Sequence, residues 1–487
     1  MIDPKVLAYD FDEEEGFREP VTPHAEPQSW TPSQKVFLAL VVIGGVAFFA
    51  QVLGLWKNGG WIGLVASFGL LGVGSAGWYI AKYRRLAAGI HNDRNTFSSA
   101  QARGGVGWVA GLLMTAFYVL LYFRYPIAKL LGTAEHPRDL LAPMVAMVDP
   151  LSELVRGKNA SGDYWGGHWF LYGFVYTLAI LVFGVRMFLR YRHNRYQLIR
   201  SGSVMFFQLV LAFLVPSFLV LFQQPEFYFS YFWPLKYSYF FPGEFPSDPL
   251  AVKRLFLYWA VVMSFVATPV LTYLFGKRWY CSWVCGCGGL AETAGDPWRQ
   301  LSSKSTTSWW IERWMIHAVL VAIVVLTALL WTNSALEGEA LGKFSQAYSE
   351  LYGLWIGSIF SGVIGVGFYP LMGSRVWCRF GCPMAAVLGI VQRVKSRFRI
   401  TTNGSQCMSC GNCSTYCEMG IDVRAYAQRG ANIVRASCVG CGICSAVCPR
   451  GVLKLENGPA RDRYVGDGNP IATFIRDATS PPSKNEG

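Results

Sequence analysis

The 487-residue chain reads as an all-α polytopic membrane protein of about eight transmembrane helices that ends in a small α+β module. Three observations carry that reading. The composition is 53% hydrophobic against 15% charged, with 18 Trp. Apolar runs long enough to cross a bilayer recur along the chain, and eight of the 13 cysteines crowd into two short runs near the C-terminus.

The spans come first in chain order, at approximately 36–56, 61–81, 105–123, 169–189, 204–222, 254–275, 314–331 and 354–372. Stretches such as LALVVIGGVAFFAQVLGL and HAVLVAIVVLTALL lack the polar face of a helix buried in a soluble core. The many glycines of the early spans (Gly44, Gly45, Gly69, Gly72, Gly74, Gly77) suit close helix packing. The opening thirty residues are acidic (Asp10, Asp12, Glu13, Glu14, Glu15) and unlike a cleavable signal.

Orientation follows from Lys and Arg. One alternating set of connections carries Lys82, Arg84, Arg85, Arg94 and Arg103, then Arg186, Arg190, Arg192, Arg195 and Arg200, then Lys277, Arg278, Arg299 and Lys304. The segment from Arg375 onward joins the same side, which the positive-inside rule makes cytoplasmic, with both termini there in a cell's inner membrane. The net charge of +13 is then the ordinary basic face of such a protein, able to steer an acidic redox partner, and no nucleic-acid partner is expected.

Two connections on the opposite side stand out. Ile127 to Arg156 places apolar residues at helical intervals between prolines and reads as short amphipathic pieces on the outer surface. QQPEFYFSYFWPLKYSYFFPGEFP reads as an interfacial aromatic belt, with a lid over a quinol pocket as the sharper alternative.

The sixth and eighth spans run into a repeated motif. LFGKRWYCSWVCGCGGL and LMGSRVWCRFGCPMAAV align Gly276, Arg278, Cys281 and Cys285 with Gly373, Arg375, Cys378 and Cys382 at a constant offset of 97. Thiols four positions apart share a helix face, so the two pairs together offer four sulfurs at the cytoplasmic interface, with the arginines at headgroup level. Cys281, Cys285, Cys378 and Cys382 are therefore candidates for a third metal or redox centre, binding a cluster or copper or closing as disulfides. Cys287 is an extra thiol, since the second copy has Met384 there.

The C-terminal runs CMSCGNCSTYCEMG and CVGCGICSAVCPRG have the spacing of a two-cluster ferredoxin. In that pattern the fourth cysteine of each run reaches across to the other cubane. The expected sets are Cys407, Cys410, Cys413 with Cys448, and Cys438, Cys441, Cys444 with Cys417. Zinc ribbons do not use three cysteines in a row at this period. Pro449 follows the last ligand as the pattern expects, whereas Glu418 stands where the first run should have proline.

From the sixth span to about residue 455 the chain resembles polyferredoxin-like membrane proteins of the NapH/NosR type, with CcoG/FixG as a relative. Their shared pattern is two CxxxCP motifs after membrane helices, followed by paired cluster-binding runs. Cys378, Cys382 and Pro383 match in full, while Cys285 is followed by Gly286. The resemblance implies membrane-coupled electron transfer, often from quinol towards a reductase or a maturation system. The chain has no segment long enough for a NosR-type flavin domain and ends without the further span and domain of CcoG, so the NapH type fits best.

The expected organisation is an acidic cytoplasmic tail over 1–34, five spans over 35–252 and three spans with the cysteine repeat over 253–394. A 2[4Fe-4S] ferredoxin-like domain over 395–460 and a polar tail over 461–487 complete it. The expected role is membrane-bound electron transfer between the quinone pool or another donor and a redox partner or larger membrane complex, as a subunit more than a stand-alone enzyme. The alternative is a copper reduction or assembly accessory of the CcoG type. His317 with Glu312 and Arg313 is a further candidate for quinone-headgroup or proton handling. His168 and His317 fall at opposite membrane faces and do not make a shared haem site. Walker, Rossmann, zinc-protease and Gly-x-Ser-x-Gly signatures are missing.

Overall fold

The computed structural model describes residues 30–56, 60–84, 86, 88–89, 104–132, 138–157, 167–240, 250–336, 342–403 and 406–458. The acidic opening segment, the connection holding Arg94 and Arg103, and the polar tail from 461 lie outside the described residues.

Among the described residues, seven helices are long and apolar enough to cross a membrane: Pro32–Val52, Trp61–Tyr83, Gly105–Tyr122, Gly167–Arg190, Arg195–Leu221, Arg254–Phe275 and Thr306–Ala335. They are helices because a chain in hydrocarbon must satisfy every amide internally. The eighth expected stretch is also helical, as Gly342–Tyr352 leading into Gly353–Ile364 and then Tyr369–Met372. Glu350, Ser358 and Ser361 dilute its apolar character and keep it out of the group of seven. This is a multi-pass membrane protein.

The spans differ in how much they hide. Only 11% of the first span's apolar window is buried, against 44% for the fourth, which makes the fourth the centre of the bundle. The first span starts on a capping box of Thr31 and Gln34 with Pro32 in its first turn. It lies tight on the second because a Cβ on Gly74 would stand 2.9 Å from the Val41 amide nitrogen. Trp309, Trp310 and Trp314, all exposed near the start of the seventh span, form the kind of aromatic girdle expected at a membrane interface. Wide π-type turns interrupt the second, fifth and sixth spans and make up Gly353–Ile364. Such turns often mark functional sites.

Ala142–Arg156 is amphipathic as expected, but its apolar side is not left on a surface. Val145, Met147 and Val148 pack with Leu64, Phe68 and Phe170 of neighbouring spans. The aromatic connection after the fifth span is a clearer correction. Phe227 and Phe232 are fully buried. Phe227 stacks on Phe256 at 4.2 Å, Phe232 lies parallel to Trp279, and Trp233 Nε1 donates to Thr327 Oγ1 at 3.1 Å. Its rings meet Phe256 and then Phe265, so the segment descends along the sixth span by roughly 13 Å at 1.5 Å per residue. It is a re-entrant plug and not a belt, because ring stacking inside the bundle buries far more area than a headgroup position allows.

The C-terminal module is built on one antiparallel pair, β1 (Phe398–Thr402) and β2 (Leu453–Asn457), with Ile400 opposite Leu455. Two short helices, Asn412–Thr415 and Ile443–Ala446, repeat one another, each entered through a left-handed glycine, Gly411 and Gly442. Those positive φ values turn the backbone round the cysteines at little cost only for glycine.

Candidate iron-sulfur and thiol sites

The membrane repeat is real in three dimensions. Each copy leaves a helix through a positive-φ glycine (Gly276, φ 68; Gly373, φ 93), makes one short helical turn carrying the first cysteine, and uses the second cysteine to start a new helix. Those helices are Gly286–Thr293, with Cys285 as N-cap, and Pro383–Val394, where Cys382 Sγ accepts from the Ala385 amide at 3.4 Å. The paired thiols therefore do not share a helix face, because the helix breaks between them. They meet by folding. Cys281, Cys285, Cys287, Cys378 and Cys382 all line one cavity of about 220 Å³.

The depth of this cavity corrects a second expectation. Gln197, near the start of the fifth span, donates from Nε2 to the Cys441 carbonyl at 2.8 Å. Ser203, further along, donates to the Trp283 carbonyl at 3.0 Å. A Cβ on Gly286 would stand 2.7 Å from Gln208 Oε1 and 3.1 Å from the Tyr231 hydroxyl. From Gln197 to Gln208 the helix rises roughly 16 Å. The thiol cavity thus sits near mid-span and the ferredoxin module at the span's end. The re-entrant plug closes the cavity with Tyr231, Pro234 and Leu235, and the Tyr280 hydroxyl donates to the Ser230 carbonyl at 2.8 Å.

A ring at Gly286 would make the Gln208 amide and the Tyr231 hydroxyl shift. Gln208 Oε1 and the Tyr176 hydroxyl are buried without a hydrogen-bond partner, so unspent polar capacity faces this corner. Five sulfurs lining one cavity are a donor set that a soft metal or an internal disulfide would satisfy.

In the ferredoxin module Cys407, Cys410, Cys413 and Cys448 ring one small cavity. Cys438, Cys441 and Cys444 gather instead with Cys417, which adds to the charge repulsion on each of them. Amides of Met419 and Ile421 point at Cys417, that of Gly440 at Cys438 and those of Arg450 and Val452 at Cys448. Burial raises Cys438 to about 11 and Cys413 and Cys441 to about 12. Crowded buried thiols that are costly to ionise, yet cradled by N–H donors, fit a cationic iron-sulfur core that would supply one-electron chemistry.

Between the two systems lies a buried charge network. Arg299, Arg375 and Glu418 are each at most 1% exposed. Glu418 pairs with Arg375 at 3.0 Å and Arg299 at 3.4 Å, and Arg375 also meets Glu292 at 3.5 Å. Arg200 pairs with Glu292, while Arg186, Arg190 and Arg299 converge on Asp296. Burial alone would raise the Glu418 carboxyl, but Arg375, Arg299 and Arg200 outweigh it and hold it low. Arg186, Arg190, Arg200, Arg299 and Arg375 were expected as topology or headgroup charges and are instead ion-pair partners inside the protein. The signal for this was the acids Glu292 and Asp296 just after the first cysteine pair. Glu312 likewise turns inward to Arg379 at 2.7 Å, whereas Arg313 and His317 are exposed on another face, so the three make no joint site.

Comparisons with known proteins follow this geometry. A family described as "4Fe-4S dicluster domain" matches residues 406–453, and one described as "4Fe-4S binding domain" matches twice, at 258–305 and 354–401, once over each copy of the membrane repeat. The chain is similar to the putative electron transport protein YccM of Escherichia coli, at 27% identity over 39% of this chain and 52% of YccM. It is also similar to the methylamine utilization ferredoxin-type protein MauN of Methylobacillus flagellatus (28%, over 35% of this chain and 60% of MauN). The ferredoxin-type protein NapH of Escherichia coli is 27% identical over 31% of this chain and 51% of NapH. The match thus spans between half and three fifths of these relatives. No solved structure matches. The class is that of membrane proteins with ferredoxin-type 4Fe-4S domains. Within it the NapH-type resemblance holds, and the relatives favour electron transport over the copper-handling alternative.

Proposed function

We propose that this chain carries electrons between a quinol or quinone headgroup held inside the membrane and a redox partner beside the ferredoxin module. Two [4Fe-4S] clusters are held by Cys407, Cys410, Cys413 and Cys448 and by Cys438, Cys441, Cys444 and Cys417. Cys281, Cys285, Cys378 and Cys382 hold a third, sulfur-ligated redox centre. The observation that carries the reading is the presence of three thiol groups in one chain, from the buried cavity of Cys281, Cys285, Cys378 and Cys382 to the set that includes the exposed Cys410.

The cavity beside the third group suits a headgroup. The Tyr231 hydroxyl lines it and can donate to a quinone carbonyl, and Gln208 Oε1 and the Tyr176 ring meet that hydroxyl around Gly286. Oxidation of one quinol releases two protons and two electrons, and the electrons leave singly. The module side is cytoplasmic in this reading, and the membrane is the inner one.

Anaerobic purification with native partners, iron analysis and EPR during quinol addition test it. At least eight irons per chain and cubane signals that appear on quinol addition are expected. Fewer irons after reconstitution, or signals deaf to quinol in the intact complex, would overturn the assignment.

A further inference from the structure

Glu418 occupies the place that proline takes in the second cysteine run, where Pro449 follows Cys448. Its side chain does not turn to solvent. It is 0% exposed, follows Cys417 directly, and places a carboxylate oxygen within 4.8 Å of the Cys441 sulfur. Three guanidiniums, of Arg375, Arg299 and Arg200, surround it and Glu292, so both acids are already paired and leave no charge for a metal ion of their own. Arg375 is the other half of the device. From the same guanidinium it meets Glu418, donates to the Cys281 carbonyl at 3.1 Å and contacts Cys378 Sγ at 3.6 Å.

We propose that Glu418 and Arg375 form a fixed-charge bridge between the membrane thiol centre and the inner cubane, and that Glu418 sets the reduction potential of the cluster on Cys417, Cys438, Cys441 and Cys444. A permanent negative charge beside a cluster disfavours adding an electron to it, while the guanidinium on the far side favours negative charge at the thiols. The outer cubane has uncharged Pro449 at the matching place, so the two clusters are held at different potentials by one residue. Glu418 acts through the cluster's field and is a positioning residue. The inference rests on the cluster assignment proposed above. Should that assignment fail, no two cubane potentials exist to measure, whereas failure here leaves eight irons and both potentials intact.

EPR-monitored redox titration of the full-length, cluster-loaded protein decides. Glu418→Gln is expected to shift the reduction equilibrium of the inner cubane about tenfold towards the reduced form, ~59 mV upward for one electron, and to leave the outer cubane in place. Glu418→Asp, which keeps the charge, is expected to retain most of the original potential. If Glu418→Gln loads too little cluster, Arg299→Gln serves as the second arm, with a shift of opposite sign expected for the same cluster. Unchanged potentials in a loaded Gln variant, equal shifts of both cubanes, an Asp variant as shifted as Gln, or an upward or absent shift in Arg299→Gln would overturn the proposal.

Discussion

The two cysteine systems of this chain reach the same end by opposite routes. In the ferredoxin module the sulfurs lie close in sequence, and left-handed glycines at Gly411 and Gly442 let local backbone wrap them. In the membrane the sulfurs come from two motifs 97 residues apart, and only the packing of several spans unites them. Local wrapping makes a site readable from spacing. Assembly by packing makes a site depend on everything that holds the bundle. The two copies of the membrane motif also diverge where the ferredoxin runs do: one position after the last cysteine, Gly286 faces Pro383 and Glu418 faces Pro449. Both departures put unusual chemistry on the path between the systems.

The sharpest way to break the comparison is to remove one ligand from each system. Cys444→Ala takes a buried sulfur from the inner cubane, and the iron content should fall by about half, read by chemical analysis and EPR, because a cubane rarely survives on three thiolates. Cys382→Ser should leave both cubanes and their dithionite-reduced spectra intact while abolishing reduction by quinol. If Cys382→Ser also strips the cubanes, the two systems are one folding unit and the contrast collapses.

A smaller effect is expected where the copies differ. Gly286→Pro makes the first copy resemble the second, and its ring would press on Gln208 and Tyr231. Overpacking of this kind costs about 1–3 kcal/mol, so the melting temperature should drop modestly. The diagnostic readout is a raised quinol concentration for half-maximal cubane reduction, with dithionite reduction unchanged. Normal quinol dependence would mean that the polar corner is only packing.

These contrasts also mark what was legible beforehand. The ferredoxin cysteines, the repeat of Cys281 and Cys378, and the spans follow from spacing and from the cost of unsatisfied backbone in lipid, which are properties of short stretches. The re-entrant course of Phe227 to Phe240 was not legible, because aromatic residues suit both a headgroup and a buried stack, and composition does not separate them. The burial of Arg200 and Arg375 was hidden for a related reason. Counting Lys and Arg reports the side of the membrane and says nothing of the acids waiting inside. The mid-span depth of Cys285 follows from helices that fold back after Cys281 and Cys378, a tertiary fact with no local signal.

The smallest effect concerns the seam between the systems. Tyr196 donates to the Gly440 carbonyl at 2.8 Å, and its neighbour Gln197 serves Cys441, so the fifth span holds the loop that carries two inner ligands. Tyr196→Phe removes the bond to Gly440 and the longer one its hydroxyl accepts from Trp283 Nε1 at 3.3 Å, and leaves a carbonyl short of a donor, at a cost of at least about 1 kcal/mol. That loss is too small to undock a module also held by Ser282 on Val439, Gln392 on Cys438 and Ser302 on Glu418. It is large enough to speed local opening about fivefold, since 1.4 kcal/mol is tenfold. Hydrogen exchange should therefore quicken around Val439 to Gly442 and stay unchanged at β1. Faster exchange throughout the module would instead mean that the seam holds the ferredoxin fold together, and that local wrapping is less self-sufficient than its sequence spacing implies.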